Sequence, residues 1–463
     1  MGKALGRRRM NYREHFKKNF HFAYPVTLSQ MGHMLVGLAD SVMVGHLGKG
    51  PLAAASFANS VFAVVFTFGI GVSVGLSPLV AKTAGEGDNR QVVGLFKNSL
   101  VINSVMGLVL LLLTFGLMYT LPYMGQPQEV NDLAGSYLSI LGWSVLPLML
   151  FQTGRQLAEG LAITKQAMFI TLFCNVLNVG MNYVFIYGHY GFEPMGLYGA
   201  GLATFISRIV MAVLMFWFLL RSKRMSFLSK FYGQVKIEKE KLRKLLKLGL
   251  PTGLQTLFEV SAFSFAAVMC GWLGTTALAA HQIAWNVCSI TYMMATGIAS
   301  AAMVRVGNRL GAKDLEGLKK AGYSNMFMVV VFMSAVALCY TLFRHIIPTF
   351  YIDDAKVILL AGELLVVAAL FQLSDGLQVV ANGALRGLQD VKIPSVFVLM
   401  AYWVAGLPMA YLLAFEFGLG TVGIWYGFLI GLTVTALCCV WRFRNLTRKL
   451  VGKEAGAKMI LQD

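Results

Sequence analysis

The stretch PVTLSQMGHMLVGLADSVMVGHLG (residues 25–48) has a counterpart in PTGLQTLFEVSAFSFAAVMCGWLG (residues 251–274), and the correspondence continues without a gap to residues 88 and 314. Over these 64 aligned positions sixteen residues are identical, at a constant offset of 226. Identical glycine, proline and aspartate residues in a fixed order do not arise from shared apolar composition alone. The chain is therefore an internal duplication.

The composition indicates a membrane protein. Hydrophobic residues make up 57% of the 463 residues and charged residues only 13%, whereas ordinary soluble chains have about 25% charged residues. Twelve apolar runs are long enough to cross about 30 Å of hydrocarbon. They are 22–44, 55–80, 98–120, 134–154, 166–187, 196–220, 248–270, 280–304, 322–343, 359–382, 393–415 and 420–441.

The longest polar stretch, residues 221–247, separates six spans from six spans. It predicts an all-α polytopic fold of 12 transmembrane helices in two six-helix lobes. Because each lobe has an even number of spans, a pseudo-twofold axis along the membrane normal should relate them. The sequence of this linker is equally compatible with a helix that lies at the membrane interface and with a helix surrounded by solvent. The predicted domains are the lobes 1–220 and 248–441, the cytoplasmic linker 221–247 and a cytoplasmic tail, 442–463.

The net charge is +18, and the positions of the basic residues along the chain indicate the role of this excess positive charge. If the N-terminus is cytoplasmic, 35 of the 39 Lys and Arg residues fall on the inner side, and only Lys49, Arg344 and Lys356 fall on the outer side. The positive-inside rule then predicts that both termini are cytoplasmic. We expect these charges to face lipid headgroups rather than nucleic acid. The first span lacks a small-residue cleavage site, so we expect it to act as an uncleaved signal.

Ionisable residues inside apolar spans are costly and usually mark a functional pathway. Glu259 and Asp375 lie in the seventh and tenth spans of the same lobe, and we expect no Lys or Arg within the spans of that lobe to pair with them. An unpaired buried carboxylate should hold a proton or attract a cation. The alternative is a carboxylic acid that is hydrogen-bonded for structural reasons.

The N-terminal lobe has its own acid, Asp40, accompanied by Asn178, Asn182 and Thr204 on later spans. Such an oxygen-rich set could solvate a proton or a small cation, and a structural hydrogen-bond network would use the same residues. At the repeat offset Glu259 corresponds to His33 and Asp40 to Ala266. The two lobes have therefore diverged in their charges.

Four other polar residues lie in or at the start of spans, and two of them, Arg208 and Tyr292, have two interpretations each. Arg208 could be a counter-ion of Asp40, but its place on an early turn of the sixth span favours a structural, snorkelling role. His281 and Gln282 open the eighth span, and Tyr292 follows about three turns later. The ring of Tyr292 could hold an organic cation by its π face or serve only in packing.

The chain resembles the multidrug and toxic compound extrusion (MATE) transporters, in particular their NorM-type bacterial branch. The resemblance covers essentially the whole chain and is specific because several motifs occur together. These are P-x-x-x-x-Q (25–30), LADSVMVGHLG (38–48), LAAAS (52–56), GLPTGLQTLFE (249–259), LAAHQIAWN (278–286), RVGNRLG (305–311) and QLSDGLQVVANGALRGLQD (372–390).

The resemblance implies two six-helix lobes around a central cleft, in the bacterial cytoplasmic (inner) membrane. It implies antiport of sodium ions or protons against lipophilic, mostly cationic drugs, with no cofactor, no obligatory protein partner, no enzymatic activity and a monomeric state.

The resemblance also implies roles for single residues. The coupling cation would bind at Glu259, Asp375 and Tyr292 with Asp40 as the N-terminal acid, and a sodium ion would be held by Glu259 and Asp375. His33 stands where close relatives can have Gln, and Asn182 where some branches have Asp. Residues expected to contact drugs are Asp375, Glu259, Gln282, His33 and Tyr292.

A MATE-related flippase of lipid-linked oligosaccharide is the alternative, but its cavity would need cations to meet pyrophosphate. A membrane enzyme would need a His or Cys cluster, a DDxxD-like motif or a nucleophile array, which this sequence lacks. A sugar-type facilitator would carry Gly-x-x-x-Asp-Arg-x-Gly after the second span, where this chain has AKTAGEGDNRQ (81–91).

Overall fold

A computed structural model describes residues 12–460, with side chains from 13 to 452, and this part of the chain is helical with no β-strand. The predicted all-α fold class is confirmed. The helices are α1 (Tyr12–Gly45), α2 (Lys49–Ser73), α3 (Leu76–Glu86), α4 (Asn89–Met118), α5 (Gln128–Gly160), α6 (Thr164–Tyr187), α7 (Gly196–Arg221), α8 (Ser226–Tyr232), α9 (Lys239–Trp272), α10 (Thr275–Gly311), α11 (Leu315–Leu342), α12 (Ala355–Gly387), α13 (Lys392–Leu399), α14 (Leu407–Tyr411) and α15 (Gly420–Ile460).

Within residues 12–460, eleven helical stretches are long and apolar enough to cross a membrane. Two of them combine several elements, Lys49–Glu86 and Lys392–Glu416. Helix α1 has 34 residues but is not among the eleven, because Gln30, His33 and Asp40 reduce its apolar character. Together with α1, these stretches account for the twelve predicted spans.

The identical residues of the repeat occupy equivalent turns. Gly48 and Gly274 precede α2 and α10 with φ angles of 120° and 115°, a region that side chains with a Cβ avoid. Asp88 and Asp314 cap α4 and α11, and each carboxylate accepts a backbone N–H bond of 2.9 Å at the third residue on. Such caps satisfy the first free N–H groups of a helix. The duplication is therefore preserved as turn and cap geometry.

The helices form two compact units, which we call the N-terminal unit (28–80 and 88–253) and the C-terminal unit (12–27, 81–87 and 254–460). The first part of α1 therefore belongs to the C-terminal unit, and the first part of α9 belongs to the N-terminal unit. In each helix the division falls two residues after a proline, Pro25 or Pro251. A proline inside a helix removes one backbone hydrogen bond and favours a change of direction there. The lobe boundaries based on chain order stay a prediction.

Small residues allow the helices of the C-terminal unit to approach closely. Ala262, Ala266, Ala284 and Ala368, on α9, α10 and α12, are fully buried in one apolar cluster. Membrane helices pack closely where small residues face each other. This packing brings the polar side chains of α9 and α12 within hydrogen-bond distance of each other.

Candidate functional site

Glu259 is held by two amide groups. Gln255, one turn earlier on α9, donates from Nε2 to Glu259 Oε1 at 3.2 Å, and Gln378 on α12 donates to the same oxygen at 3.3 Å. Both glutamines are 1% exposed. One carboxylate oxygen of Glu259 thus accepts both amide hydrogen bonds.

Asp375 lies on α12 about one turn before Gln378 and is 8% exposed. It is close enough to Glu259 for their charges to interact. Among the described residues no hydrogen bond reaches its carboxylate. The structure thus brings together the two acids predicted to share a site, and it leaves one of them available to a ligand.

Two tyrosines from other helices complete the polar cluster. Tyr292 on α10 is within electrostatic range of both Glu259 and Asp375, as its predicted role requires. Tyr402, 2% exposed, donates from its hydroxyl to Gln378 Oε1 at 3.2 Å. It lies in a π-helical segment, Met400–Gly406, and π-helical turns occur often at functional sites.

The expectation that no cation lies near the C-terminal acids is wrong. Arg386 donates from Nη2 to Gln255 Oε1 at 3.5 Å, and its charge interacts with that of Glu259. The span boundaries 359–382 had placed Arg386 in a loop, but α12 continues to Gly387 and its last residues are mostly buried. Helix propagation beyond the apolar run brings the guanidinium into the cluster.

An aromatic wall lies in the same unit. The ring centroid of Phe263 is 4.4 Å from that of Trp285, 4.6 Å from Phe428 and 5.7 Å from Tyr402. Because Tyr402 belongs both to this wall and to the polar cluster, the aromatic rings are connected to Glu259 through Gln378.

His281 and Gln282 are not joined to this cluster. Trp425 Nε1 donates to Nδ1 of the buried His281 at 3.2 Å, which gives His281 a structural role. Gln282 is exposed, and no contact among the described residues connects it to Glu259 or Asp375. Its role in drug binding stays a prediction.

In the N-terminal unit the structure joins three of the four residues of the predicted network. Asn182 Nδ2 donates to Asp40 Oδ1 at 2.5 Å and approaches Asn178 Oδ1 at 3.4 Å. Asn182 Oδ1 is buried without a hydrogen-bond partner. Thr204 makes no hydrogen bond to this set in the described structure.

The cations of the N-terminal unit have partners of their own. Arg208 donates to Ser144 Oγ at 2.5 Å and lies 5.5 Å and 5.6 Å from the ring centroids of Phe62 and Phe66. Its charge also interacts with that of Asp40. Among the described residues Arg208 forms no salt bridge with Asp40. Its contacts with Ser144, Phe62 and Phe66 agree with the structural role favoured from the sequence.

His33 lies beside a second buried cation. Arg155 forms an ion pair with Glu159 at 2.8 Å and donates to Gln30 Oε1 at 3.4 Å. The charge of Arg155 also acts on His33. The predicted contact of His33 with drugs stays a prediction.

Four residues of the C-terminal cluster were missed in the sequence: Gln255, Gln378, Tyr402 and Arg386. A signal for two of them was present, because Asp375, Gln378, Asn382 and Arg386 have the spacing i, i+3, i+7, i+11 of one helix face. Tyr402 carries no comparable signal, since its position depends on the π-helical segment.

The described residues contain no group of three or more His, Cys, Asp or Glu side chains that could hold a metal ion. The C-terminal cluster offers two carboxylates and the hydroxyl groups of Tyr292 and Tyr402. Such oxygen groups suit a weakly held, exchangeable cation better than a permanently bound transition metal.

The MatE family profile matches residues 25–184 and 251–412. This chain belongs to the MatE family. The two matched regions coincide with the two halves of the duplication. As a MatE family member with eleven apolar helical stretches of membrane-spanning length within residues 12–460, the chain is a multi-pass membrane protein.

Curated relatives from the family match nearly the whole chain. A probable multidrug resistance protein NorM of Rhizobium meliloti is 34% identical over 448 residues, 96% of each chain. The multidrug resistance protein NorM of Photobacterium profundum is 32% identical over 438 residues, 94% of this chain and 96% of that one.

Solved MatE structures share the fold. A MATE crystal structure in the bent conformation has a TM-score of 0.88 at 21% identity, over 97% of this chain and 100% of that one. The eukaryotic MATE transporter AtDTX14 has a TM-score of 0.85 at 20% identity, over 96% and 99% of the two chains. These likenesses confirm the MATE fold predicted from the sequence.

Proposed function

We propose that this MatE-family chain exports lipophilic, mostly cationic compounds from the cytoplasm in exchange for sodium ions or protons that enter from outside. The observation that carries the proposal is that Asp375, whose carboxylate has no hydrogen bond among the described residues, lies one turn before Gln378, which is bonded to Glu259 in the same unit. The relatives named multidrug resistance proteins support the substrate class. The chain acts as a transporter rather than an enzyme, and as a monomer.

The cluster suits a ligand that is both apolar and positively charged. The half-buried rings of Phe263 and Trp285, which pack with the buried Phe428, provide apolar contacts, and the carboxylates of the same unit attract positive charge. Aromatic faces also attract organic cations directly. A cationic drug therefore gains from both parts of the cluster.

Competition couples the two fluxes. A sodium ion or proton that neutralises Glu259 and Asp375 from the outside lowers the affinity of the same cluster for a cationic drug and releases it. Exchange follows if the two ligands prefer different conformers of the transporter. No direct coupling pathway between separate sites is needed.

The flippase alternative is disfavoured by the net charge of the cluster. Arg386 is one cation against two acids, so a pyrophosphate group would meet a net negative region. A lipid-linked pyrophosphate needs several cations. We therefore retain drug export as the proposed function.

The test is dye uptake into inverted membrane vesicles, first under an imposed sodium gradient and then under an imposed proton gradient. Wild-type protein should concentrate a fluorescent cationic dye under at least one gradient. Asp375→Asn keeps the side-chain shape without the charge and should abolish uptake, whereas Asp353→Asn on the exposed surface should behave as wild type. Undiminished uptake by Asp375→Asn at normal expression would refute the proposal.

A further inference from the structure

Arg386 ends a polar stripe on α12 that begins at Asp375. Asp375, Gln378 and Asn382 are 8%, 1% and 4% exposed, and Arg386 follows on the same helix face. With a rise of about 1.5 Å per residue, the stripe extends about 16 Å along the helix. It joins the two acids of the proposed function to a permanent positive charge.

The guanidinium acts on Glu259 without forming an ion pair with it. Gln255 connects the two groups, because it accepts from Arg386 Nη2 and donates to Glu259 Oε1. Within the described residues no carboxylate lies within salt-bridge distance of Arg386, and its Nε is buried without a hydrogen-bond partner. Arg386 therefore offsets the charge of Glu259 while Glu259 keeps an oxygen free for a ligand.

The corresponding position of the N-terminal half has the opposite charge. When QLAEG (156–160) is aligned with GALRG (383–387), Glu159 corresponds to Arg386. Glu159 is neutralised by Arg155 at 2.8 Å. At this position of the repeat, therefore, the C-terminal unit has a cation without a carboxylate partner among the described residues, whereas the N-terminal unit has a neutralised acid.

We propose that Arg386 is a fixed internal counter-cation that limits the Glu259 and Asp375 site to one mobile positive charge. An arginine does not lose its proton in a protein. With both acids ionised, the three groups together carry a charge of −1, which one sodium ion, one proton or one monocationic drug neutralises. Since only one such ligand is held at a time, drug and cation exclude each other, which supplies the competition that exchange requires. This inference rests on the proposed function and explains its strict competition.

The test measures binding of a fluorescent cationic dye to purified protein, titrated with sodium chloride at constant ionic strength and, separately, with acid. Glu259→Gln alone leaves the cluster neutral and should weaken dye binding at least about tenfold, because a full charge is lost at short range. The double variant Glu259→Gln with Arg386→Gln regains a charge of −1 through Asp375. It should recover dye affinity to within about threefold of wild type, together with displacement by the cation.

The matched control combines Glu259→Gln with Arg448→Gln, an exposed arginine on α15, and should stay as weak as Glu259→Gln alone. Arg386→Gln by itself should bind dye and cation together, so that the cation no longer displaces the dye, and Arg386→Lys should compete as wild type does. If Arg386→Gln does not fold, the double variant still decides, since it leaves no unbalanced charge at Glu259.

A double variant that folds but stays as weak as Glu259→Gln would overturn the inference. So would unchanged competition in Arg386→Gln. A wild-type protein whose dye is displaced neither by sodium nor by acid would instead refute the proposed function, so the two failures are distinguishable.

Discussion

At the scale of single residues, the orientation of the Gln378 amide determines whether Glu259 receives a hydrogen bond from it. The Tyr402 hydroxyl bonds to Gln378 Oε1, which directs Nε2 of the same amide toward Glu259. Without that hydroxyl the amide could rotate and present its oxygen to the carboxylate. Tyr402, which makes no hydrogen bond to Glu259 among the described residues, thus fixes the hydrogen bonding of that acid through Gln378.

We predict that Tyr402→Phe lowers the stability of the folded protein by about 1 kcal/mol, the usual net value of a buried hydrogen bond, and weakens cation binding several-fold. The control is Tyr411→Phe, since Tyr411 is 46% exposed. Thermal unfolding and cation titration of purified protein measure both effects. Equal behaviour of the two variants would show that the Tyr402 hydroxyl does not orient Gln378.

The residue scale also shows what the sequence could and could not predict. Glu259, Asp375 and Tyr292 were identified because charged and polar groups stand out in apolar spans. Arg386 was misplaced because hydropathy marks where an apolar run ends, whereas the helix continues while its residues stay buried. The glutamine contacts depend on the register of α9 against α12, which the sequence does not encode locally.

At the scale of elements, glycines permit two equivalent close approaches in the C-terminal unit. A Cβ on Gly85 would meet the carbonyl oxygen of Asn308, and a Cβ on Gly311 would meet that of Lys82. The positions are related by the repeat offset of 226. The identity of these glycines in both halves therefore follows from backbone contact.

Gly85→Ala and Gly311→Ala should each destabilise the protein by about 1–3 kcal/mol, because backbone atoms must move to admit the methyl group. Gly116→Ala is the matched control, since no atom lies within 4 Å of its added Cβ. In a helix that change should be neutral or stabilising by up to about 1 kcal/mol. Thermal unfolding in detergent compares the three, and a Gly85→Ala protein as stable as Gly116→Ala would contradict the packing account.

The first part of α1, which precedes the predicted span 22–44, is hydrogen-bonded to α10 and α11. Arg305 donates from Nη1 to the His15 carbonyl oxygen at 2.8 Å, and its Nη2 lies 2.9 Å from His15 Nδ1. Asn19 accepts from Arg305 and donates to Ser324 Oγ at 2.9 Å. The His15 ring accepts a hydrogen bond here only while it is neutral.

We predict that this contact weakens on acidification. Burial, and then the charges of Arg305, Arg309, Lys320 and Lys18, lower the pKa of His15 from 6.5 to about 4. Because the docked form resists protonation, the contact is fully stable above pH 6.5 and loses stability as the pH falls from 6.5 toward 4. Hydrogen exchange of residues 12–20, corrected for intrinsic rates, should therefore rise in this window. His15→Gln should remove the rise, and an equal rise in that variant would exclude His15 as its source.

At the scale of the whole molecule, the distribution of Lys and Arg predicts the orientation in the membrane. Reporter tags at the N-terminus, within 221–247 and at the C-terminus should all report the cytoplasm, because 35 of 39 basic residues then lie on the inner side. External reporter activity from a fusion at residue 235 would overturn the arrangement of six spans on each side of the linker.

The two halves of the duplication have kept their turns and caps but not their charges. The C-terminal unit combines Glu259, Asp375 and Arg386 in one cluster, whereas Asp40 in the N-terminal unit is bonded to Asn182. We infer that the C-terminal unit binds the coupling cation and that Asp40 contributes to conformational switching. The repeat in the sequence predicts the turns and helix caps that the two halves share. The charged residues that differ between the halves predict that the two units have different roles in transport.

The most direct test of this account is cation-dependent displacement of a fluorescent cationic dye from purified wild-type protein and three single variants. Glu259→Gln and Asp375→Asn should each lose displacement almost as completely as a protein that carries both of these changes, because either change alone leaves Arg386 balanced against one remaining acid. Asp40→Asn should retain displacement at equilibrium and transport more slowly in vesicles. Loss of displacement in Asp40→Asn, with displacement intact in Glu259→Gln and Asp375→Asn, would contradict the account and place the coupling site in the N-terminal unit.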